Sequence, residues 1–196
     1  MASKSIAVNR RKSPFVLQKT NVVYVFVLGG KECGKSRLIQ TFATDTIVDS
    51  NLLSLSVFKT RELLSRSLSI LRFCELSRET FPLEEVKRTC QKQNTVLFFC
   101  FAIDDINSLH TMNLNWIAPL RITIGIKLPS ILVGSKKDVR RFLEEGRHTI
   151  KPSWGERMRK CFGFQQYHEC SVLNKQSVSD LFYIAVGLAV STDLFS

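Results

Sequence analysis

Gly29, Gly34, Lys35 and Ser36, within VLGGKECGKSRLIQTF at residues 27–42, fit the spacing G-x-x-x-x-G-K-[ST]. These residue types at this spacing suit one kind of chemistry. Glycines let the backbone turn tightly so that successive N–H groups converge on a chain of phosphates; the lysine ammonium reaches the β and γ groups and the adjacent hydroxyl can hold Mg²⁺. Lys35 and Ser36 are the candidates for those two roles, and Lys31, Glu32, Cys33 and Arg37 complete the loop. Cys33 is also the thiol best placed to react, since a helix N-terminus lowers a thiol pKa, although packing is the commoner use of such a residue.

Such a loop works only between a strand and a helix N-terminus. VVYVFVL (22–28) is a β-branched and aromatic run ending in glycine, as a buried strand would, and Leu38, Ile39 and Phe42 then recur at helical spacing. Downstream, residues 44–60 are small and hydroxyl-rich and suit a loop plus one edge strand. LSILRF (68–73) reads as a strand, and 79–93 is charged and helix-compatible. The continuous apolar run at 95–103 suits a strand buried on both faces. A helix at 109–120, a strand at 128–134, a helix at 153–162, a short strand at 167–171 and a last helix through Val178, Leu181, Phe182, Ala185, Leu188 and Ala189 complete the order. The alternation predicts an α/β fold, a mostly parallel sheet with helices on both faces. Ligands of such sheets bind beyond the carboxyl ends of the strands, where the glycine loop begins.

The chain of 196 residues is 44% hydrophobic, enough for one sizeable core, so residues 21–196 are expected to form a single domain behind a basic arm at 1–20. That arm carries Lys4, Arg10, Arg11, Lys12 and Lys19 and no acid. It could meet an anionic membrane surface. No apolar run approaches the roughly 18–20 residues of a membrane-spanning helix. Six cysteines without a C-x-x-C pair point to buried free thiols in a reducing, cytoplasmic compartment. The net charge of +11 does not choose a partner by itself, and a nucleic-acid partner is not expected because aromatics are not interleaved with the basic residues.

The glycine motif alone leaves kinases, ATPases and GTPases open. ILVGSKKDVR (131–140) resembles the guanine-reading loop of Rho-type small GTPases, and YHECSVLNK (167–175) resembles that family's E-C-S-A loop. From about Val22 onward the chain resembles the N-terminal GTPase domain of the mitochondrial Rho (Miro) GTPases, most strongly in QNTVLFFCFAIDDINSL, WIAPL, LPSILVGSKKDV and HECSVLNKQSVSDLFYIAVGLAV. The resemblance implies an α/β P-loop NTPase fold of the Ras-like kind, a three-layer sandwich around a mostly parallel six-stranded sheet, with GTP or GDP and Mg²⁺ as ligands. It implies that Asp138 accepts hydrogen bonds from the guanine N1–H and 2-amino group, that the Lys136 stem covers the base, and that Ser171 and Val172 form the backbone loop near the guanine O6. Ser135 stands where family members have asparagine or threonine, and its short side chain is expected to weaken the tie between the guanine loop and the phosphate loop.

The same resemblance makes Ser56 the switch I candidate for Mg²⁺ and sets Glu75-Leu76-Ser77-Arg78 at the D-x-x-G of switch II, with Glu79 in place of the catalytic glutamine. Glu75 and Glu79 are therefore weak candidates for catalysis, and Lys31 and Glu32 flank the γ-phosphate. Lys31 either obstructs an incoming arginine finger or supplies a cation itself. The expectation is a guanine-nucleotide switch with weak or absent hydrolysis, whose effectors and regulators bind through residues 44–80. The alternative is a pseudoGTPase serving as an interaction module, with a small-metabolite kinase and nucleic-acid binding behind both. A place at the mitochondrial outer membrane would come through partners, because TDLFS at the end of the sequence has no CaaX cysteine. Asp104 and Asp105 read as helix caps, Trp116 as a packing anchor, Trp154 as partly exposed, and His110, His148 and His168 as isolated residues without metal-ligand spacing.

Overall fold

The computed structural model describes residues 21–43, 47–49, 56–59, 63–64, 67–75, 88, 94–124, 128–142 and 148–192. The basic arm at 1–20 and most of 44–66 and 76–93 lie outside the described residues. The strands are β1 (Asn21–Gly29), β2 (Ile47–Asp49), β3 (Ser56–Lys59), β4 (Leu63–Leu64), β5 (Ser67–Glu75), β6 (Asn94–Ala102), β7 (Ser130–Ser135) and β8 (Gln166–Glu169). The helices are α1 (Lys35–Ala43), α2 (Ile106–Met112), α3 (Ala118–Ile124), α4 (Pro152–Phe162) and α5 (Lys175–Thr192). A π turn, Asn113–Ile117, joins α2 to α3, and a 3₁₀ turn, Lys137–Arg141, follows β7.

The expected six-stranded sheet does not form. Eight strands assemble in the order β2-β3-β5-β1-β6-β7-β8, with β4 paired to β5 off that path. Four parallel pairings, β5 to β1, β1 to β6, β6 to β7 and β7 to β8, make the parallel core with its flanking helices. The pairings of β2 with β3, and of β3 and β4 with β5, are antiparallel. The extra strands come from 47–64, where short hydroxyl-rich segments have too little period to separate from a loop. β3 and β4 are held by backbone pairing to β5, and β2 by pairing to β3.

Alternation along the central strands splits the core in two. Val23, Val25 and Val27 of β1 with Val96, Phe98 and Cys100 of β6 face α1 and α5, where Phe182 sits against Phe42, Phe73 and Phe98. Tyr24, Phe26, Leu28, Leu97, Phe99 and Phe101 face the opposite way, toward Leu109, Met112, Trp116, Ile117 and Leu120 of the α2–α3 segment. Both faces are covered, which is why β6 reads as an uninterrupted apolar run.

Asp105 caps α2 by accepting the Asn107 N–H at 2.9 Å, as the sequence suggests, whereas Asp104 instead pairs with Lys136 at 3.3 Å. His168 is structural, its Nε2 lying 2.8 Å from Ser177 O, while His110 and His148 are exposed. On α4, Gly155 lets the Tyr167 ring pack directly on the helix. A Cβ at that position would lie 2.0 Å from Tyr167 Cζ. Gly155→Ala is accordingly expected to destabilise the protein by about 2 kcal/mol through overpacking. Thermal unfolding should show a drop of roughly 5 °C, and an unchanged midpoint would mean that α4 rides freely on β8.

Candidate nucleotide site

The phosphate loop leaves the carboxyl end of β1 and enters α1 at Lys35. Its path needs its glycines. A Cβ on Gly29 would stand 2.4 Å from Cys100 O in the neighbouring strand, and Gly34 adopts φ 88°, which disfavours any side chain. Glu32 takes φ 62°, a conformation that costs a non-glycine residue about 1 kcal/mol. The loop therefore holds backbone strain at the start of a helix whose first amides have no intrahelical acceptor.

Lys35 is buried at the centre of the loop. Its Nζ donates to Gly30 O at 2.6 Å and Gly29 O at 3.2 Å, and lies 3.9 Å from Glu75 Oε1. The Ser36 hydroxyl donates to that same carboxylate oxygen at 2.9 Å. Glu75 ends β5, in register with Val27 of β1, so parallel pairing sets it opposite the loop. Together, Ser36 Oγ and the Glu75 carboxylate are a hard oxygen set of the type that Mg²⁺ prefers.

Base recognition would fall to the segment after β7. Ser135 is buried, and its hydroxyl lies 2.5 Å from Cys33 O and 3.0 Å from Phe101 O, so its single proton, donated to the nearer Cys33 O, ties this segment to the phosphate loop. The short side chain suffices because the loop comes close: a Cβ on Gly34 would be 3.7 Å from Ser135 Oγ. Lys136 follows at φ 60° with its ammonium on Asp104. Asp138 accepts a hydrogen bond from Ser171 Oγ, which in turn accepts the Leu173 N–H at 3.1 Å. Backbone bonds from Lys137 N to Cys170 O, 3.1 Å, and from Cys170 N to Gly134 O, 2.9 Å, fasten this turn to the sheet.

All of this borders one cleft of about 1140 Å³. Gly29, Lys31, Glu32, Gly34, Lys35, Ser36, Arg37, Glu75, Ser135, Lys136, Asp138 and Val172 line it. Two predicted residues act from behind the wall. Cys33 packs in the core, donating to Gly30 O, and its thiol pKa is raised by burial, with Lys35 opposing, so the reactive reading gives way to packing. Ser171 borders a smaller neighbouring cavity and acts on Asp138. Burial likewise pushes the Cys100 thiol well up and the Cys170 thiol to about 12. The side chain of Ser56 and the whole of Glu79 lie outside the described residues, as does most of the 44–80 segment; the Ser56 backbone, in β3, pairs with Phe73 of β5. Sequence reasoning missed the wall supplied by Asn107, Thr111, Asn115 and Trp116, which follow one another around the α2 and π-turn face. Their spacing near four residues was the available signal.

A sequence profile of the Ras family matches residues 24–190, from the first strand to near the end of α5. The chain belongs to the Ras family. It is also similar to GTP-binding protein RHO2 of Saccharomyces cerevisiae, with 26% identity over 172 residues, 85% of this chain and 80% of that protein. A P-loop GTPase domain with Rho-like character thus spans most of the sequence. Among the described residues of this Ras-family chain, no helix is long and apolar enough to cross a membrane.

Proposed function

We propose that this chain is a guanine-nucleotide-binding switch protein with weak or absent intrinsic GTP hydrolysis. The observation that supports it most is that Asp138, held by Ser171, borders the same cleft as the buried Lys35 and its glycine loop. In this reading the loop amides and Lys35 bind the phosphates, and Ser36, aided by Glu75 and with Ser56 as a further candidate, holds Mg²⁺. Bound there, the metal would supply charge neutralisation for the phosphates. Asp138 accepts the guanine N1–H and 2-amino donors, which adenine lacks, while Lys136 and the Ser171–Val172 turn border the base. Similarity to RHO2, a GTP-binding protein, is consistent with this assignment.

Weak turnover follows from the sequence at the end of β5. Glu75 replaces the expected aspartate, Arg78 the glycine whose backbone approaches the γ-phosphate, and Glu79 the glutamine that orients water. A carboxylate cannot donate as an amide does. The same divergence favours a second reading, a pseudoGTPase that keeps the fold as an interaction module. The resemblance to the Miro N-terminal domain supports placing the chain near that branch, with effectors meeting residues 44–80.

Nucleotide released from the purified protein by denaturation and identified by chromatography tests the first reading, followed by melting with GTP, GDP or ATP and Mg²⁺. Guanine nucleotides at a thousandfold above Kd should add about 4 kcal/mol of stability, and ATP little. Equal effects of ATP and GTP would overturn the base assignment, and no shift with any nucleotide would leave the interaction module.

A further inference from the structure

Trp116 lies in the π turn Asn113–Ile117, is only 4% exposed, and borders the nucleotide cleft. Its indole N–H donates to Gly29 O at 3.3 Å, across a sequence separation of 87 residues. The same carbonyl accepts from Lys35 Nζ at 3.2 Å. A carbonyl oxygen has two lone pairs, so Gly29 O takes one donor from the loop's own lysine and one from a helical segment outside the loop. Because the peptide is planar and trans, fixing the Gly29 oxygen fixes the Gly30 N–H in the opposite direction.

The π turn is what delivers the indole. The Ala118 N–H reaches Asn113 O, five residues back, so one turn is widened. Within that turn Trp116 and Ile117 are both buried, at 4% and 1% exposure. A packing role alone would be met by Ile117, Met112 and Leu120, which fill the same core without a polar atom to place. Such widened turns recur at functional sites.

We propose that Trp116 is a positioning residue for nucleotide binding, holding the first peptide of the phosphate loop through Gly29 O so that the Gly30 amide is set before phosphate arrives. The inference rests on the guanine-nucleotide reading above. It assigns the α2–α3 segment a part in nucleotide affinity that the glycine loop motif does not contain.

Replacing the Trp116 indole by benzothienylalanine keeps ring shape and packing but deletes the N–H; Trp116→Phe is the simpler second variant. GDP affinity in the presence of Mg²⁺, measured by displacement of a fluorescent GDP, and melting of the nucleotide-free protein are the two readouts. The benzothienyl variant is expected to bind GDP roughly 3- to 10-fold more weakly, the worth of one hydrogen bond, with unchanged melting when nucleotide-free. Unchanged GDP affinity in both variants overturns the proposal, and so does an affinity loss matched by an equal loss of nucleotide-free stability. GDP binding by the unaltered protein in those cases leaves the nucleotide reading intact. Absence of GDP binding by the unaltered protein would instead remove both.

Discussion

Lys35→Ala is expected to yield a folded protein that retains no guanine nucleotide. In the structure the ammonium is buried and already oriented by Gly29 O and Gly30 O, so little side-chain freedom is left to lose when phosphate binds. In the proposed complex alanine would remove at least two charge-assisted hydrogen bonds to phosphate, each worth about 1.5–3 kcal/mol. A loss near 3 kcal/mol is already more than a hundredfold in Kd. Fold stability without nucleotide should change little, because the same change also removes a buried charge that needs compensation. Calorimetric titration with GDP and Mg²⁺, and chromatography of nucleotide carried through purification, both check the result. Undiminished GDP binding by the alanine variant would show that the phosphates sit somewhere other than this loop.

The second large effect is on stability. Arg140 makes a two-pronged pair with Glu169, through Nη1 to Oε2 and Nη2 to Oε1 at 2.7 Å, and Nη2 also donates to Ile150 O at 2.6 Å. Tyr167 donates to the same carboxylate. The Glu169 side chain is 8% exposed and that of Arg140 24%, so removing the cation strands a buried charge. Arg140→Ala is expected to cost about 3 kcal/mol at neutral pH, measured by denaturant unfolding. Burial acts to raise the Glu169 pKa, but the Arg140 and Tyr167 hydrogen bonds and the Arg140 charge outweigh it and hold the carboxyl below the usual range.

The pH dependence then has opposite signs in the two proteins. In the native chain Glu169 contributes stability that is present above the unfolded-state pKa near 4.5 and is lost as pH falls through the lower folded value. In Arg140→Ala the burial effect is left unopposed by the cation, the carboxyl pKa rises, and protonation becomes favourable in the folded state. Acidifying from about pH 8 to about pH 5 should therefore narrow the stability gap between variant and native protein. A gap that widens over that range would show that Glu169 finds another cation.

The parts of this architecture that were legible in the sequence are those with a strong period or a geometric demand. β1, β6, β7 and α5 announce themselves by continuous or helical apolar patterns because each is buried on at least one whole face. The loop from Gly29 to Ser36 is legible because only glycine fits where Cys100 O approaches. Asp138 was visible through family resemblance, but its support was not: the Ser171 hydroxyl that holds it comes from 33 residues away. The edge strands were undercounted because three- and two-residue segments such as β2 and β4 draw their order from pairing rather than from pattern. The π turn escaped for a similar reason. One extra residue in a helix leaves the apolar spacing nearly intact, so Leu109 through Leu120 reads as one continuous helix while Trp116 is turned onto Gly29. The reach of Ser135 was not legible from side-chain length alone, since the distance it must cover is set by Gly34 on the other side.

That serine hydroxyl has a consequence for how a ligand is measured. By joining the Cys33 carbonyl to β7, the strand that runs into the turn carrying Asp138, it makes the two proposed grips jaws of a caliper with a set opening. A molecule long enough to touch both gains the chelate advantage of two tethered ends. On the proposed reading, free guanosine, or pyrophosphate by itself, would engage only one jaw and forfeit that advantage.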